Sequence, residues 1–495
     1  MDFEVMLQGF VNALSWQNII VIVLATTLGV VIGSMPGLSA AMGVALLIPM
    51  TFTMDPATGL IMLIGIYCGA IFGGSISAIL ISTPGTPAAS ATLIEGYEMT
   101  KKGQGGKALK TAAVASFTGA MVSAVALYGF APLLAQLSLR FGPAEYFWLA
   151  VFGLTIIAGV STGSMLKGLL AGAFGLVLAM IGLDPITGMP RFTFGMNELI
   201  SGIPFTPALI GLFAMSQVLI MAEKRMKNTG ITNQVKDNST ITWGEIKKMK
   251  TTLGRSSIIG TIIGLLPGAG ATIAAFVGYN EAKRFSKNKD EFGKGAQEGV
   301  AGAEAANNSV TGSSLIPTLT LGIPGESVTA VLLGGLVIHG LQPGPDLFTV
   351  HANTTYTFLA GFVFVNVVML LLGLYGARYF VGVTKIPDGA LIPIIFTLSV
   401  IGSYAIHNNF FDVILMFIFG LIGYFFRKFT LNSASIVLAL ILGILAESGF
   451  RRTLVISGND PLALVASPIS IVLIVLTVLS LFSPIVMNKF TKSAT

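Results

Sequence analysis

The chain has 495 residues, 54% of them hydrophobic and only 10% charged, with a net charge of +6 from 28 basic and 22 acidic side chains. Soluble domains carry roughly 25% charged residues, so this composition excludes a water-soluble globular protein and specifies a polytopic membrane protein. The single Cys68 excludes an intrachain disulfide, and an excess of +6 in such a chain reflects basic loops at one membrane face rather than nucleic-acid binding.

In chain order, the N-terminus MDFEVMLQGF is acidic and lacks a basic n-region, so it does not read as a cleavable signal peptide. GVVIGSMPGLSAAM (29–42) then interrupts an apolar run with Pro36-Gly37, which reads as the turn of a re-entrant hairpin. Residues 56–94 form an apolar run of 39 residues that contains Cys68, read as a packing residue, and the hydroxyls Ser75 and Ser77. This run is too long for one spanning helix of about 20 residues. It carries LISTPGTPAAS, with a backbone break expected at Pro84-Gly85 near the membrane midplane. Lys101, Lys102, Lys107 and Lys110 follow and mark a cytoplasmic loop. Spans are expected at 113–135, 145–160, 165–182 and 203–222, with Lys167 snorkelling from a helix end and Asp184 and Arg191 in an outer loop. Residues 223–255 are hydrophilic and basic, a cytoplasmic joint between a first membrane half (1–222) and a second (256–495).

The second half opens with an apolar run at 256–280 whose two ends are both flanked by positive charge. It reads as another re-entrant hairpin, turning at Pro267-Gly268. GAEAANNSVTGSS (302–314) follows the basic segment 283–294; its Glu304, Asn307 and Asn308 stand at i, i+3 and i+4 on one helix face, a pattern that lines cavities in membrane segments. TLGIPGESVTA (320–330) breaks the run 300–338 at Pro324-Gly325. Five further spans are expected at 355–377, 388–405, 410–426, 433–448 and 463–487, for about 10–12 in all. Their basic flanks, including Arg378, Lys385, Arg427, Lys428, Lys489 and Lys492, fall in the cytoplasm; Arg451 and Arg452 fall on the wrong side, beside Glu447, whose pairing would explain them.

The two halves match. Gly29–Met42 aligns with Gly260–Ile273 at an offset of 231, and the two Pro-Gly breaks align at an offset of 240. Collinear matches at two places argue for duplication. The basic loop follows the second motif in half one but the first motif in half two, so charge changes sides. The expected fold is therefore an all-α polytopic membrane protein with an inverted repeat, re-entrant hairpins and discontinuous helices, the plan of many secondary transporters.

A helix that restarts after a break points its positive end into the break, which suits an anion, and the freed carbonyls suit a small cation. The substrate-binding candidates are accordingly Ser82, Thr83, Pro84, Gly85, Thr86 and Pro87 at one break and Gly322, Pro324, Gly325, Glu326 and Ser327 at the other, with Asn307 and Asn308; Thr329 follows the second break. Pro36, Gly37, Ser39, Gly268 and Thr272 at the hairpin turns, with Ser75 and Glu304, are the candidates for a coupling ion, Na+ being one option. Glu326 reads either as a cation ligand or proton carrier, or as a helix cap. His339, His351 and His407 are scattered without metal-ligand spacing, and nucleotide loop, zinc signature and nucleophile elbow are lacking, which disfavours an ATP-driven pump or an enzyme.

The long motifs GSMPGLSAAMGVALLIPMTF, GIYCGAIFGGSISAILISTPGTPAASATLIEGY, LPGAGATIAAFVGYNEAKRFSK and GKGAQEGVAGAEAANNSVTGSSLIPTLTLGIPGESVTAVLLGGLVIHGLQPGP resemble the large membrane subunit of the tripartite tricarboxylate transporter family, over roughly residues 16 to 485. The resemblance implies uptake across a bacterial inner membrane of carboxylates, such as citrate, other di- and tricarboxylates or aromatic acids, driven by a Na+ or H+ gradient. It also implies a periplasmic substrate-binding protein and a small four-helix membrane subunit as partners, and the Pro-Gly motifs as the site. The acid at Glu326 leaves open whether it adds a cation ligand or weakens contact with a second carboxylate. The rival readings are a stand-alone ion-coupled carrier or exchanger of organic anions without a binding protein, and a channel.

Overall fold

A computed structural model describes residues 3–160, 165–184, 186–224, 239–268, 270–380, 382, 386 and 388–492. Helices make up nearly all of it; the strand pairing among these residues is a two-residue antiparallel ladder joining Gly182–Leu183 to Pro190–Arg191. The first half comprises α1 (Phe3–Ala13), α2 (Trp16–Ser34), α3 (Ala40–Thr51), α4 (Pro56–Ile81), α5 (Ala89–Lys101), α6 (Gly105–Ser138), α7 (Pro143–Val160), α8 (Met165–Ala179), α9 (Phe205–Ile210) and α10 (Ser216–Lys224). The second comprises α11 (Trp243–Lys248), α12 (Lys250–Leu265), α13 (Gly270–Phe285), α14 (Gln297–Ser313), α15 (Leu315–Leu321), α16 (Ser327–Ile338), α17 (Ala352–Leu371), α18 (Ala377–Phe380), α19 (Asp388–His407), α20 (Phe410–Lys428), α21 (Ser433–Ile456) and α22 (Pro468–Lys492).

Among the described residues, 8 helices are long and apolar enough to cross a membrane, and four shorter apolar helices accompany them, including α3 and α16. The all-helical, multi-pass reading of the sequence therefore holds. Part of the basic joint, 225–238, lies outside the described residues, as do Lys385 and the side chains of Arg378, Lys489 and Lys492.

Two helices sit at the centre. In α4 nearly every residue from Ala57 to Ile79 is buried, and in α14 every residue from Gly299 to Ser313. Helix α4 packs on α2, α3 and α17, and α14 on α6, α12 and α13. Small residues make these contacts close, as in membrane helices generally. A Cβ on Gly33 of α2 would lie 2.0 Å from the Ala70 carbonyl oxygen of α4, and one on Gly264 of α12 would lie 3.0 Å from Val310 Cα of α14. These are equivalent pairs at the offsets of 231 and 240. Gly29 with Ile66 and Gly260 with Ala306 form a second such set, each backbone to backbone.

The hairpin at Pro267-Gly268 forms, and its arms, α12 and α13, have 16 residues each, about 24 Å at helical rise. The first hairpin is less even: α2 has 19 residues and α3 has 12.

The two long runs are interrupted at their Pro-Gly pairs, and the chain doubles back there. Helix α4 alone has 26 residues and ends in a left-handed turn at Ser82, φ 56°. The chain then folds back along α4, so that the Gly85 amide donates to the Gly74 carbonyl at 3.2 Å before α5 begins. Gly322 takes the same left-handed conformation, φ 69°, at the end of α15, and a Cβ on Gly325 would meet Ser314 Cβ at 2.6 Å. The turns match bond for bond: Thr83 N to Ser77 O at 3.4 Å, and Ile323 N to Pro317 O at 3.2 Å. A loop that returns beside its own helix accounts for each run being too long for one crossing.

Arg451 pairs as expected with Glu447, at 3.6 Å, but its closer partner is Asp184. Arg191 completes the group by forking onto both Glu447 oxygens at 2.5 and 3.0 Å. The Arg451 guanidinium, with the Thr187 and Ile186 amides, holds the Asp184 carboxyl well below the usual carboxylate range. The loop around Asp184 and Arg191 is thereby fastened to α21. Lys167 Nζ donates to the Phe429 carbonyl oxygen at 2.9 Å, capping the end of α20 rather than only reaching for solvent.

Candidate solute-binding site

Between the two breaks lies a cavity of about 510 Å³, lined by the starts of α3, α5, α13, α16 and α21 together with Ile71, Phe213, Arg427 and Thr430. Each start has a local cause. Ser39 caps α3 by accepting from the Met42 amide at 3.1 Å, and Asn432 caps α21 by accepting from the Ala434 amide at 3.0 Å. Helix α13 begins at Gly270, which like Gly268 before it is at positive φ, and α16 begins after Glu326. Helix N-termini carry about half a positive charge each and expose amide donors, so several aimed at one space make a site for anions.

Arg427 adds a full positive charge. It reaches the cavity from the last turn of α20 and donates from Nη1 to Gln217 Oε1; no acid approaches it among the described residues. Gln217 is buried and its amide nitrogen lies 3.6 Å from the position of a Cβ on Gly37, which places the pair beside the tip of the first hairpin. Phe213 belongs to a π-turn, Gly211–Met215, that joins α9 to α10. Thr86 and Ser433 line the cavity too, and among the described residues their buried hydroxyls have no hydrogen-bond partner.

Glu326 supplies the one acid of the lining. Its Oε2 accepts from the Ala271 amide of α13 at 3.1 Å and its Oε1 accepts from the Tyr67 hydroxyl of α4; Tyr67 is itself 3.4 Å from Ser314 Oγ. The Glu326 amide donates to Thr329 Oγ1 at 3.1 Å, which fixes the turn into α16.

A second polar group is fully enclosed. Glu304 of α14 accepts from Thr92 Oγ1 of α5 at 2.5 Å, from Ser116 Oγ of α6 at 2.9 Å and from Asn308 Nδ2 at 3.1 Å. Asn307 is equally buried beside Glu304, and among the described residues no well-formed hydrogen bond reaches its amide or Asn308 Oδ1. Such amides beside a carboxyl and two hydroxyls form a set of oxygen donors suited to a small cation.

Residues 19–438 match the tripartite tricarboxylate transporter TctA family. The chain belongs to that family. An uncharacterized 52.8 kDa protein of the TAR-I ttuC' 3' region of Agrobacterium vitis is 38% identical over 463 residues, covering 93% of this chain and 92% of that protein. An uncharacterized protein of the TAR-II ttuC' 3' region of the same organism is 38% identical over 211 residues, 43% of this chain and 87% of that one. No solved structure matches. TctA membership makes the chain the large subunit of a tripartite transporter, and so a transport protein that works with partner proteins.

In this TctA-family chain, the cavity gathers Thr86, Pro87, Glu326 and Ser327 from the substrate candidates and Ser39 and Thr272 from the ion candidates. The rest serve elsewhere. Ser82, Thr83, Pro84, Gly322 and Pro324 shape the turns, and Gly85 and Gly325 are buried in helix contacts. Gly268 donates to the Gly325 carbonyl at 2.7 Å, joining hairpin tip to break, and Pro36 and Gly37 form the other tip. Ser75 donates to Phe72 O within α4. Asn307, Asn308 and Glu304 do not line the cavity as their shared helix face suggested; they form the enclosed group, because that face packs on α5 and α6. Sequence reasoning does not find Arg427, Gln217, Phe213 or Asn432. Arg427 reads as a basic flank of a span, and only the Asn-Ser start of the next helix hints that a helix begins beside it.

Proposed function

We propose that this chain is the transport subunit of a binding-protein-dependent importer of small carboxylates, driven by a cation gradient across a bacterial inner membrane. The carrying observation is the cavity in which five helix starts and Arg427 converge, in a chain of the TctA family. Its volume of about 510 Å³ is in the range of small-molecule sites, roughly 300–1,000 Å³. The solute carboxylate is held by Arg427 and by the starts of α3 and α5. Glu304, with Thr92, Ser116, Asn307 and Asn308, takes the coupling cation, Na+ or H+. A periplasmic binding protein delivers solute, and a small four-helix membrane subunit completes the assembly. The recurrence of equivalent helix contacts at the two offsets supports a two-fold repeat, and the exchange of basic loops between the halves supports its inversion. Di- and tricarboxylates such as citrate are one solute class compatible with the family.

The test is uptake of radiolabelled carboxylates into proteoliposomes holding this chain together with a small membrane subunit and a periplasmic binding protein. Uptake that needs the binding protein and collapses with the cation gradient is expected. Full-rate uptake without the binding protein would make the chain a stand-alone carrier, and gradient-independent single-channel currents would make it a channel.

A further inference from the structure

The two halves of the cavity are equivalent in backbone but not in charge. Thr86 and Glu326 occupy equivalent positions at the offset of 240, and Ala40 and Ala271 do so at the offset of 231. In half two the Ala271 amide at the start of α13 donates to Glu326 Oε2 at 3.1 Å, and Tyr67 donates to Oε1. Both carboxyl oxygens are thus taken up by groups of the chain itself. The place where two helix starts would hold a solute carboxylate is therefore filled by one of the chain's own. In half one the equivalent place is bounded by Ser39, Ala40 and Thr86, whose buried hydroxyl has no partner among the described residues. Arg427 stands on this side, through Gln217 beside Gly37.

We propose that Glu326 is a specificity-determining residue that occupies one of two equivalent anion subsites, so that the solute carries one carboxylate, bound in half one, and faces Glu326 with an uncharged hydrogen-bond donor such as a hydroxyl. A second carboxylate would lie against Glu326, whose own carboxyl already takes the amide donor that the start of α13 would offer it. The inference rests on the reading of the cavity as a carboxylate site.

The experiment is ligand-induced thermal stabilisation of the purified full-length chain in detergent, with glycolate, lactate, succinate, malate and citrate as probes. Wild type, Glu326→Gln and Glu326→Thr are compared; Gln keeps the side-chain shape, and Thr reproduces the partner position in half one. Wild type should bind glycolate or lactate at least about tenfold more tightly than succinate or citrate, and both variants should move that ratio about tenfold towards the dicarboxylates. Wild type binding succinate or citrate as tightly as the monocarboxylates would overturn the proposal, as would an unchanged ratio in a folded variant. In either case binding persists and the carboxylate site stands. If none of the probes binds to wild type, the site reading falls and this proposal with it.

Discussion

Arg427 donates to a neutral amide rather than to an acid, so its charge remains available to a solute. Charge-assisted hydrogen bonds of this kind contribute about 1.5–3 kcal/mol. Arg427→Gln should therefore weaken carboxylate binding by about 10- to 100-fold while leaving the folded chain monodisperse, and Arg427→Lys should recover only part of the loss because Lys cannot fork. Stabilisation of the purified chain by added carboxylate reads both; unchanged affinity in Arg427→Gln would remove this residue from the site. The residue escapes sequence reading because a basic residue at the end of an apolar span fits the topology rule equally well. Glu326, by contrast, is legible as an acid at a helix start. What the sequence does not convey is the Ala271 amide across from it, a partner that the hairpin brings in from 55 residues away. At the joint between the halves, Lys107 and then the Thr242 amide lower the Glu245 carboxyl to about 2. A depressed acid stabilises the fold above its unfolded value of about 4.5, and that contribution is lost as pH falls towards 2. The melting temperature should thus drop between pH 5 and pH 3 by less in Glu245→Gln than in wild type, with no difference in slope between pH 6 and 8.

The helical elements show how two equivalent breaks are locked by unequal contacts. A Cβ on Gly85 would lie 1.9 Å from the Gly33 carbonyl oxygen, a backbone atom that cannot move aside, whereas one on Gly325 would first meet Ser314 Cβ at 2.6 Å. Ser314 stands where half one has Gly74. Gly85→Ala should accordingly abolish uptake and lower the melting temperature. Gly325→Ala should be milder and should be partly rescued by adding Ser314→Gly. Transport assays and thermal unfolding of the three variants check this; equal damage at both breaks, without rescue, would deny the difference. The breaks themselves are legible, since Pro-Gly inside an apolar run removes a helix donor and frees the backbone just where lipid offers no partner. Their return along the preceding helix is not, because it depends on the left-handed Ser82 and on packing between Gly33, Gly74 and Gly85, which are close only in the folded chain.

At the scale of the whole molecule, Glu304 ties the helix that precedes one break to the helix that follows the other. It belongs to α14 and accepts from Thr92 of α5, while Ser116 brings in α6. A cation or proton arriving there changes the bonding between the two halves without touching the cavity. Glu304→Gln should make residual carboxylate uptake insensitive to the cation gradient, with solute binding at Arg427 retained. A normal gradient response in that variant would move the coupling site elsewhere. The helical class, the multi-pass character and the family are all legible from composition and long motifs, because they depend on local hydropathy and order along the chain. The cavity is not: two of its walls, α20 and α21, lie about 100 residues beyond the second break and more than 300 beyond the first. Nothing in their own sequence points back to it.

The π-turn at Gly211–Met215 also sets the phase of the helix beyond it. A turn of this kind contains about one residue more than an α turn, so every side chain after it is rotated by about 100° from where an unbroken helix would aim it. Phe213 lies within that turn and Gln217 two residues past it, and Gln217 sets the direction of Arg427. The phase of one helix thus steers a guanidinium that belongs to another. Winding that turn back into α-helical register would swing Gln217 off its bearing and let the arginine go, with no residue of the cavity altered.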